Sequence, residues 1–219
     1  MEYYVVLCNV FLEKGTIMMN VLRKVFSPKI MHRALEQFGD LSVRDFLLFS
    51  MLGIILLTIF VLVQKIREKQ IRISNVLSGI VLSVYISVML QLTLVCRESG
   101  SRIGIDLDIF HGLVGPDNDF HWLMIAYVVL NCMLFIPYGF TLSLFSFVNE
   151  RRGVIQMVLV TLISFSTSLI IEMTQLITQR GYYETQDLLF NTLGGVIGWA
   201  VFYVIYHVGA SILRKREEK

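Results

Sequence analysis

The sequence predicts an all-α fold: a polytopic transmembrane helical bundle of about five spans, preceded by amphipathic or re-entrant helices at the N-terminus. Of the 219 residues, 55% are hydrophobic and 16% are charged, whereas a soluble domain carries about 25% charged residues. Five windows contain no Asp, Glu, Lys or Arg, and each is about as long as the ~20-residue helix that spans a bilayer, or longer. Their apolar runs lack the alternation of barrel strands. These windows are residues 46–64, 73–96, 120–149, 153–171 and 188–213.

Residues 1–44 are predicted to form an N-terminal region that is separate from a transmembrane domain at residues 45–219. The stretch "YYVVLCNVFL" is apolar but short, and no basic leader or small-residue cleavage site accompanies it, so we expect no cleaved signal peptide. In residues 15–38, apolar and basic side chains alternate and Pro28 interrupts the pattern, which is typical of amphipathic helices at a membrane interface. A re-entrant segment or a short additional span is the alternative.

The five spans follow one another with charged or turn-forming loops between them. The first ends at the basic stretch "QKIREKQIR", and a long loop separates the second from the third. Pro137 lies inside the third span and is expected to kink it. The predicted bounds are 46–63, 73–96, 121–147, 154–178 and 187–213.

Loop charges predict the orientation. The loops at 64–75 and 148–153 and the C-terminal tail carry ten Lys and Arg residues, whereas the loops at 97–120 and 179–186 carry three. By the positive-inside rule, the latter two loops lie outside and the C-terminus is cytoplasmic. The basic residues of the N-terminal region disagree, because five spans would leave them outside. An extra N-terminal crossing would remove this conflict.

The fourth span carries a polar stripe. Ser168, Glu172 and Gln175 lie at i, i+4 and i+7 and therefore share one helix face. Polar groups are costly at membrane depth, and an intramembrane ionisable residue is a candidate functional residue. The alternative is that these side chains only join neighbouring helices by hydrogen bonds.

The fifth span carries a matching stripe that contains Asp187 and Asn191. A short loop joins the two spans, so they are predicted to be antiparallel neighbours whose stripes meet near the outer surface. Asp187 has the alternative role of a helix N-cap, and Asn191 that of an interhelical hydrogen-bond partner. Small residues and a proline are assigned to helix packing: Pro137, Gly194, Gly195 and Gly198.

Two arginines are predicted at the level of these stripes. Arg97 ends the second span and Arg180 lies in the loop between the fourth and fifth. A guanidinium matches phosphate or carboxylate geometry, so both are expected to neutralise the carboxylates and to hold an anion; snorkelling at helix ends is the alternative. The predicted ligand-binding set is Arg97, Glu172, Gln175, Arg180, Asp187 and Asn191.

Several blocks of the chain resemble the signature blocks of the VanZ-like family: "LTLVCRE", "NCMLFIPYGF", "SLIIEMTQ" and "DLLFNTLGGVIG". They cover about residues 85–205 in matching order and spacing, and residues 1–72 lie outside the resemblance. The resemblance implies a multi-pass bacterial membrane protein; the family's name-giving member is associated with resistance to teicoplanin-type glycopeptide antibiotics. The residues on the pattern are Asn131, Pro137, Gly139, Ser168, Glu172, Gln175, Arg180, Asp187, Asn191, Thr192, Gly194 and Gly198.

Three functions fit these features. The first is binding of a lipid-linked or amphiphilic anionic ligand in an outer-leaflet pocket of the bacterial plasma membrane, such as a cell-wall precursor or a lipoglycopeptide, with a contribution to glycopeptide resistance. The second is a membrane-embedded enzyme that acts on a lipid phosphate or glycolipid, with Glu172 and Asp187 as candidate catalytic acid and base. The third is a transporter or an accessory subunit. Membrane lipids are expected partners in each case, and the oligomeric state stays open.

Other partners are not expected. A net charge of +2 without a basic stripe argues against nucleic acid, and three scattered cysteines form neither a disulfide set nor a metal site. No cofactor-binding motif occurs, so we expect no cofactor. One loop is rich in carboxylates and imidazoles, but its spacing fits no EF-hand or zinc pair, so no metal is expected there: Asp106, Asp108, His111, Asp117, Asp119 and His121.

Overall fold

The computed structural model describes residues 18–36, 41–97, 100 and 104–217. Almost all of this part is helical, and one pair of two-residue strands lies in the loops. The elements in chain order are α1 (18–25), α2 (Pro28–Glu36), α3 (Val43–Ile66), α4 (Ile73–Leu90), a π-helix (Gln91–Val95), β1 (Ile105–Asp106), α5 (Asp119–Ser143), α6 (Ser146–Asn149), α7 (Gly153–Thr178), β2 (Tyr183–Glu184) and α8 (Thr185–Glu217).

Five helices are long and apolar enough to cross a membrane, which confirms the predicted all-α bundle. They are α3, α4 with its π-helix, α5, α7 and the part of α8 up to Ser211. The third span ends at Ser143, earlier than predicted, because the chain turns and begins the separate helix α6. Asn75 holds this turn from α4: its Oδ1 accepts from the Ser146 backbone N–H at 2.9 Å, and its Nδ2 donates to the Ser146 Oγ at 2.7 Å.

Helix α5 is the centre of the bundle and packs most extensively on α8. Glycines let the backbones of the two helices touch. A Cβ at Gly198 would lie 2.0 Å from the Ile136 carbonyl oxygen, and a Cβ at Gly139 would lie 2.0 Å from the Gly195 carbonyl oxygen. Helix α5 continues through Pro137 to Ser143. The structure therefore places the glycines that were assigned to packing inside helix interfaces, as small-residue packing requires.

Helix α3 lies at the edge of the bundle. It is the most apolar span, with a mean hydropathy of 3.0, and only 6% of its most apolar window is buried. It packs mainly on α4, where a Cβ at Gly53 would meet the Ser83 side chain at 2.9 Å. Most of the surface of α3 is therefore left to face lipid, and the polar chemistry of the molecule lies elsewhere.

The N-terminal helices α1 and α2 pack on the first half of α5. Val25, Ile30 and Ala34 form an apolar cluster with Ala126. Basic residues of α1 and α2 pair with acids at the start of α5: Lys24 with Asp117, and Lys29 with Asp119.

These contacts place α1 and α2 at the end of the bundle where α5 begins and where α7 and α8 meet. We call it the outer end, after the orientation that the loop charges predict, and the opposite end the inner end. Two of the basic residues that conflict with that orientation, Lys24 and Lys29, have acidic partners there. The predicted interfacial position of this region stays a prediction, and the stretch "YYVVLCNVFL" lies outside the described residues.

Candidate ligand site at the outer end of the bundle

The loops of the outer end are tied together by a small parallel sheet. Ile105 of β1 is in register with Tyr183 of β2, and the Tyr183 backbone N–H donates to the Gly104 carbonyl oxygen at 3.0 Å. Gln179 ends α7 in the left-handed conformation, with φ 56°. This turn lets the chain reverse within a few residues, so β2 passes directly over the end of α7 before α8 begins.

Glu172 and Gln175 are buried on the inward face of α7, with 1% and 2% of their surface exposed. The Glu172 Oε2 accepts from the Glu184 backbone N–H at 3.0 Å. The Gln175 Nε2 donates to the Thr93 carbonyl oxygen at 2.8 Å. Thr93 lies in the π-helix, whose wider turn redirects backbone groups. The α7 stripe therefore joins both the β2 loop and the end of the second span.

The two predicted stripes meet. The Asn191 Nδ2 of α8 donates to the Ser168 Oγ of α7 at 2.9 Å. Asp187 accepts from the Asn131 Nδ2 of α5 at 2.5 Å and interacts electrostatically with Glu172. Helix α8 begins at Thr185, so Asp187 lies in its first turn and not at the N-cap position.

The two arginines differ in what they contact. Arg180 Nη1 donates to the carbonyl oxygens of Leu94 and Val95, at 2.8 and 3.3 Å. In the described part of the chain it forms no ion pair with Glu172 or Asp187. The expectation that both arginines neutralise the carboxylates is therefore wrong for Arg180, because the open carbonyls at the end of the π-helix take its guanidinium.

Arg97 is the arginine whose charge acts on both carboxylates. It lies against the α7–α8 turn: a Cβ at Gly181 would be 2.9 Å from the Arg97 Nη1 and 3.5 Å from the Gln175 Cδ. Because Gly181 has no side chain, the side chains of Arg97 and Gln175 can both pack against this turn.

Three buried polar atoms around these side chains lack a hydrogen-bond partner within the described residues. They are the Gln175 Oε1, the Asn191 Oδ1 and the Arg97 Nε. Buried polar atoms are nearly always satisfied in folded proteins, and leaving one unmade costs about 1–3 kcal/mol. Two acceptors and one donor are thus left without a partner in this cluster.

A pocket of about 590 Å³ lies at the outer end and is lined by none of the six predicted ligand-binding residues; it is linked to them through Glu184, which lines it and whose backbone N–H donates to Glu172. Its walls come from the 104–111 loop, from the first half of α5 and from the residues that join β2 to α8. His111 pairs with Asp106 at 3.2 Å on one wall. The polar and aromatic lining residues are Asp106, Asp108, His111, Phe120, Tyr127, Tyr182, Glu184 and Gln186. We call this cavity the outer pocket.

Tyr127, Tyr182, Glu184 and Gln186 were not predicted as site residues. Three of them, Tyr182, Glu184 and Gln186, stand in the short stretch "GYYETQ" that directly precedes Asp187. A dense run of aromatic and polar residues between two spans was the available signal. The sequence does not reveal that this loop pairs with residues 105–106.

The carboxylates of the long loop divide into two groups. Asp106 and Asp108 line the outer pocket, whereas Asp117 and Asp119 pair with Lys24 and Lys29. The hydrogen bond from Lys24, followed by one from Trp122, holds the pKa of Asp117 below its ordinary value. No set of three or more metal-ligating side chains is assembled in the described ranges.

The family of the chain is indicated by a model described as VanZ/LLP1, which matches residues 82–206. This segment is more than half of the chain and runs from α4 to α8. It contains all six predicted ligand-binding residues and leaves out α1, α2 and α3. Curated proteins and solved structures gave no significant match. The resemblance that was read from the sequence blocks is thereby confirmed.

Proposed function

The chain belongs to the VanZ-like family, and from this premise we propose that it is a multi-pass membrane protein that binds the polar headgroup of an amphiphilic ligand at the outer end. One observation carries the proposal: Gln175, Asn191 and Arg97 present unpartnered polar atoms beside two carboxylates, at the membrane end where a large pocket opens. A structural polar network would satisfy these atoms internally.

The chemistry of the site supports a ligand that carries both an anionic group and hydrogen-bond donors. Arg97 offers a guanidinium to a phosphate or carboxylate. Glu172 and Asp187 are acceptors for hydroxyl or amine groups. A lipid-linked cell-wall precursor or a lipoglycopeptide combines these features, and a contribution to teicoplanin-type resistance belongs to the same proposal. Arg180 is left out of the ligand set because backbone carbonyls hold it.

The orientation is part of the proposal. The outer end faces the outside of the bacterial plasma membrane and the C-terminus is cytoplasmic, in keeping with the positive-inside rule. Single cysteines introduced at Gly115 and at Glu68 lie in loops at opposite ends of the bundle. With native cysteines replaced, a membrane-impermeant maleimide should label Gly115→Cys in intact cells and Glu68→Cys only after lysis. The reverse pattern would invert the orientation.

A second function is favoured by the electrostatic interaction between the two carboxylates. Glu172 and Asp187 interact with each other and with Arg97, and two interacting carboxylates beside a guanidinium supply a general acid, a general base and a phosphate contact. In this alternative the protein hydrolyses a lipid phosphate or glycolipid. Release of the polar headgroup from a polyprenyl-linked substrate by purified protein, abolished in Glu172→Gln, would establish it.

Binding is tested by native mass spectrometry of protein purified in mild detergent. Wild type should retain an amphiphile, and both Glu172→Gln and Arg97→Lys should lose at least about tenfold in occupancy. Glu172→Gln removes a negative charge, and Arg97→Lys keeps the positive charge but removes the guanidinium that bonds an anion through two N–H groups. Glu150→Gln is the matched control, because Glu150 is an exposed glutamate that pairs with Arg72 at the inner end. Occupancy that is unchanged in both site variants would refute the site.

A further inference from the structure

We propose that the outer pocket binds an ammonium group carried by an amphiphile, so that the ligand of this protein is zwitterionic. This inference rests on the proposed function: the anionic group of the ligand meets Arg97, and its ammonium group enters the outer pocket next to it. Charge, aromatic lining and one buried amide each support it.

The outer pocket carries negative charge. Asp106, Asp108 and Glu184 line it, and no Lys or Arg is among its lining residues in the described part of the chain. The basic residues of α1 and α2 that reach this end are engaged elsewhere, Lys24 with Asp117 and Lys29 with Asp119. Among the described residues no lysine or arginine pairs with Asp106 or Asp108, and His111 is the side chain that pairs with Asp106. A cation that enters is therefore attracted to these carboxylates, whereas an anion would be repelled.

Aromatic rings complete the lining. Phe120, Tyr127 and Tyr182 stand on the same walls as the carboxylates. The face of an aromatic ring attracts an ammonium group, and the combination of rings with carboxylates is typical of ammonium recognition. A volume of about 590 Å³ is ample for a small headgroup.

Gln186 is the independent sign of a ligand. It lines the outer pocket, only 7% of its surface is exposed, and within the described residues its carboxamide makes no hydrogen bond. Its amide atoms are not among the fully buried atoms without a partner, so they are accessible from the pocket, and its oxygen is an acceptor for an ammonium N–H. Glu184 also lines the outer pocket, and its backbone N–H donates to Glu172, so this residue links the pocket to the proposed site.

A divalent cation is the competing positive ligand. Calcium takes six to eight oxygen ligands, and no group of three or more metal-ligating side chains is assembled among the residues that the structure describes. Dispersed carboxylates with aromatic rings between them suit an organic cation better.

Two phospholipids with the same acyl chains provide the test, because both carry a phosphate, but phosphatidylethanolamine adds an ammonium group whereas phosphatidylglycerol adds an uncharged glycerol. Each is titrated into delipidated protein in detergent, and bound lipid is counted by native mass spectrometry. Wild type should prefer phosphatidylethanolamine by about tenfold. The preference should fall to about twofold or less in Asp108→Asn and in Gln186→Leu.

Asp117→Asn is the matched control, since this acid stands on the same loop but pairs with Lys24 outside the pocket; it should keep the wild-type preference. Asp108 is exposed, so its variant folds even if Gln186→Leu does not. Equal binding of both lipids by wild type, or a preference that survives in Asp108→Asn, would overturn the inference.

Two further arms identify the source of the cation. Competition by soluble ethanolamine supports recognition of the ammonium group alone, and lipid preference without such competition supports an ammonium group on a membrane amphiphile. Displacement of phosphatidylethanolamine by millimolar calcium would overturn the inference in favour of a metal. Glu172→Gln separates the two proposals: if it loses both lipids while wild type shows no preference, the proposed function stands and the ammonium site fails.

Discussion

Two glutamines at opposite ends of α7 are buried to almost the same degree and yet differ in kind. Gln156, at the inner end, is 6% exposed, and Gln175, at the outer end, is 2% exposed. The Gln156 Nε2 donates to the carbonyl oxygens of Asn149 and Arg151 at 2.9 and 2.8 Å, and its Oε1 accepts from the Trp199 Nε1 at 3.2 Å. Gln175 donates to Thr93 and leaves its Oε1 without a partner.

The difference shows that burial of a polar side chain in a membrane bundle does not mark a site. Gln156 has the partners of a structural amide: it ties the turn before α7 to α8. At the outer end Asn191 and Arg97 share the incomplete hydrogen bonding of Gln175. What distinguishes the two glutamines of α7 is therefore whether both ends of the amide find partners, and at the outer end three such incomplete side chains lie together.

The largest effect is expected where the scaffold that carries both ends is broken. Gly198→Ala places a Cβ 2.0 Å from the Ile136 carbonyl oxygen, a backbone atom that cannot move aside. Overpacking of this kind costs about 3 kcal/mol or more, so the whole bundle, with both its inner and its outer end, should lose stability. Thermal melting in detergent, followed by fluorescence-detected size exclusion, measures the loss of stability.

Gly209→Ala is the control for this variant, because a Cβ at Gly209 meets nothing within 4 Å. It should leave the melting temperature unchanged or raise it slightly, since alanine is the better helix former. Wild-type melting of Gly198→Ala would mean that α5 and α8 are not in backbone contact.

The comparison of the two glutamines is sharpened by replacing each with leucine. Gln156→Leu removes three hydrogen bonds and should cost about 2 kcal/mol, whereas Gln175→Leu removes one and should cost about 1 kcal/mol or less. Ligand occupancy should respond in the opposite sense: lost in Gln175→Leu and retained in the folded fraction of Gln156→Leu. Melting curves and native mass spectra on the same preparations report both. Equal loss of ligand occupancy in the two variants would show that the outer end is not the ligand site.

The sequence predicted the part of this picture that follows from local rules. Charge-free windows located five spans because each span must be apolar over its whole length. Helical periodicity placed Ser168, Glu172 and Gln175 on one face, and a short loop made α7 and α8 neighbours, so that Asn191 meets Ser168.

What could not be predicted depends on contacts between distant residues. Arg180 donates to the carbonyl oxygens at the end of the π-helix, and no residue pattern predicts a π-helix in residues 91–95. The outer pocket exists because Ile105 pairs with Tyr183, and strands of two residues carry no periodicity. The pairing of Lys24 with Asp117, 93 residues apart in the chain, likewise follows from no local pattern.

A smaller effect separates two serines one turn apart on α7, both fully buried. Ser168 accepts from Asn191, so Ser168→Ala leaves that amide with a second unsatisfied group and should cost about 1 kcal/mol. The Ser164 Oγ has no partner among the described residues, so Ser164→Ala should be neutral or stabilising. Paired melting curves measure the difference. If both variants lose the same stability, the Ser164 hydroxyl has a hydrogen-bond partner in the folded protein.

The smallest effect concerns the surface ion pairs that hold α1 and α2 at the outer end. The pKa of Asp117 is lowered mainly by the hydrogen bond from Lys24. The folded state therefore favours the ionised carboxylate, and the stabilisation it provides is present at any pH above the ordinary Asp value of about 3.9 and is lost as the pH falls through the lower folded-state pKa. Because both side chains are exposed, the effect is local and modest.

Hydrogen exchange of the amides in residues 18–36, corrected for intrinsic rates, measures this docking. Protection should be the same at pH 7 and pH 5 and should fall below pH 4 in wild type. Asp117→Asn should show reduced protection already at pH 7 and a shallower pH dependence, whereas Asp108→Asn, which alters an acid without a lysine partner in the described chain, should follow wild type. Identical pH profiles for wild type and Asp117→Asn would show that apolar packing on α5 alone holds the N-terminal helices. Charged residues at the outer end would then matter for ligand binding and not for the docking of α1 and α2.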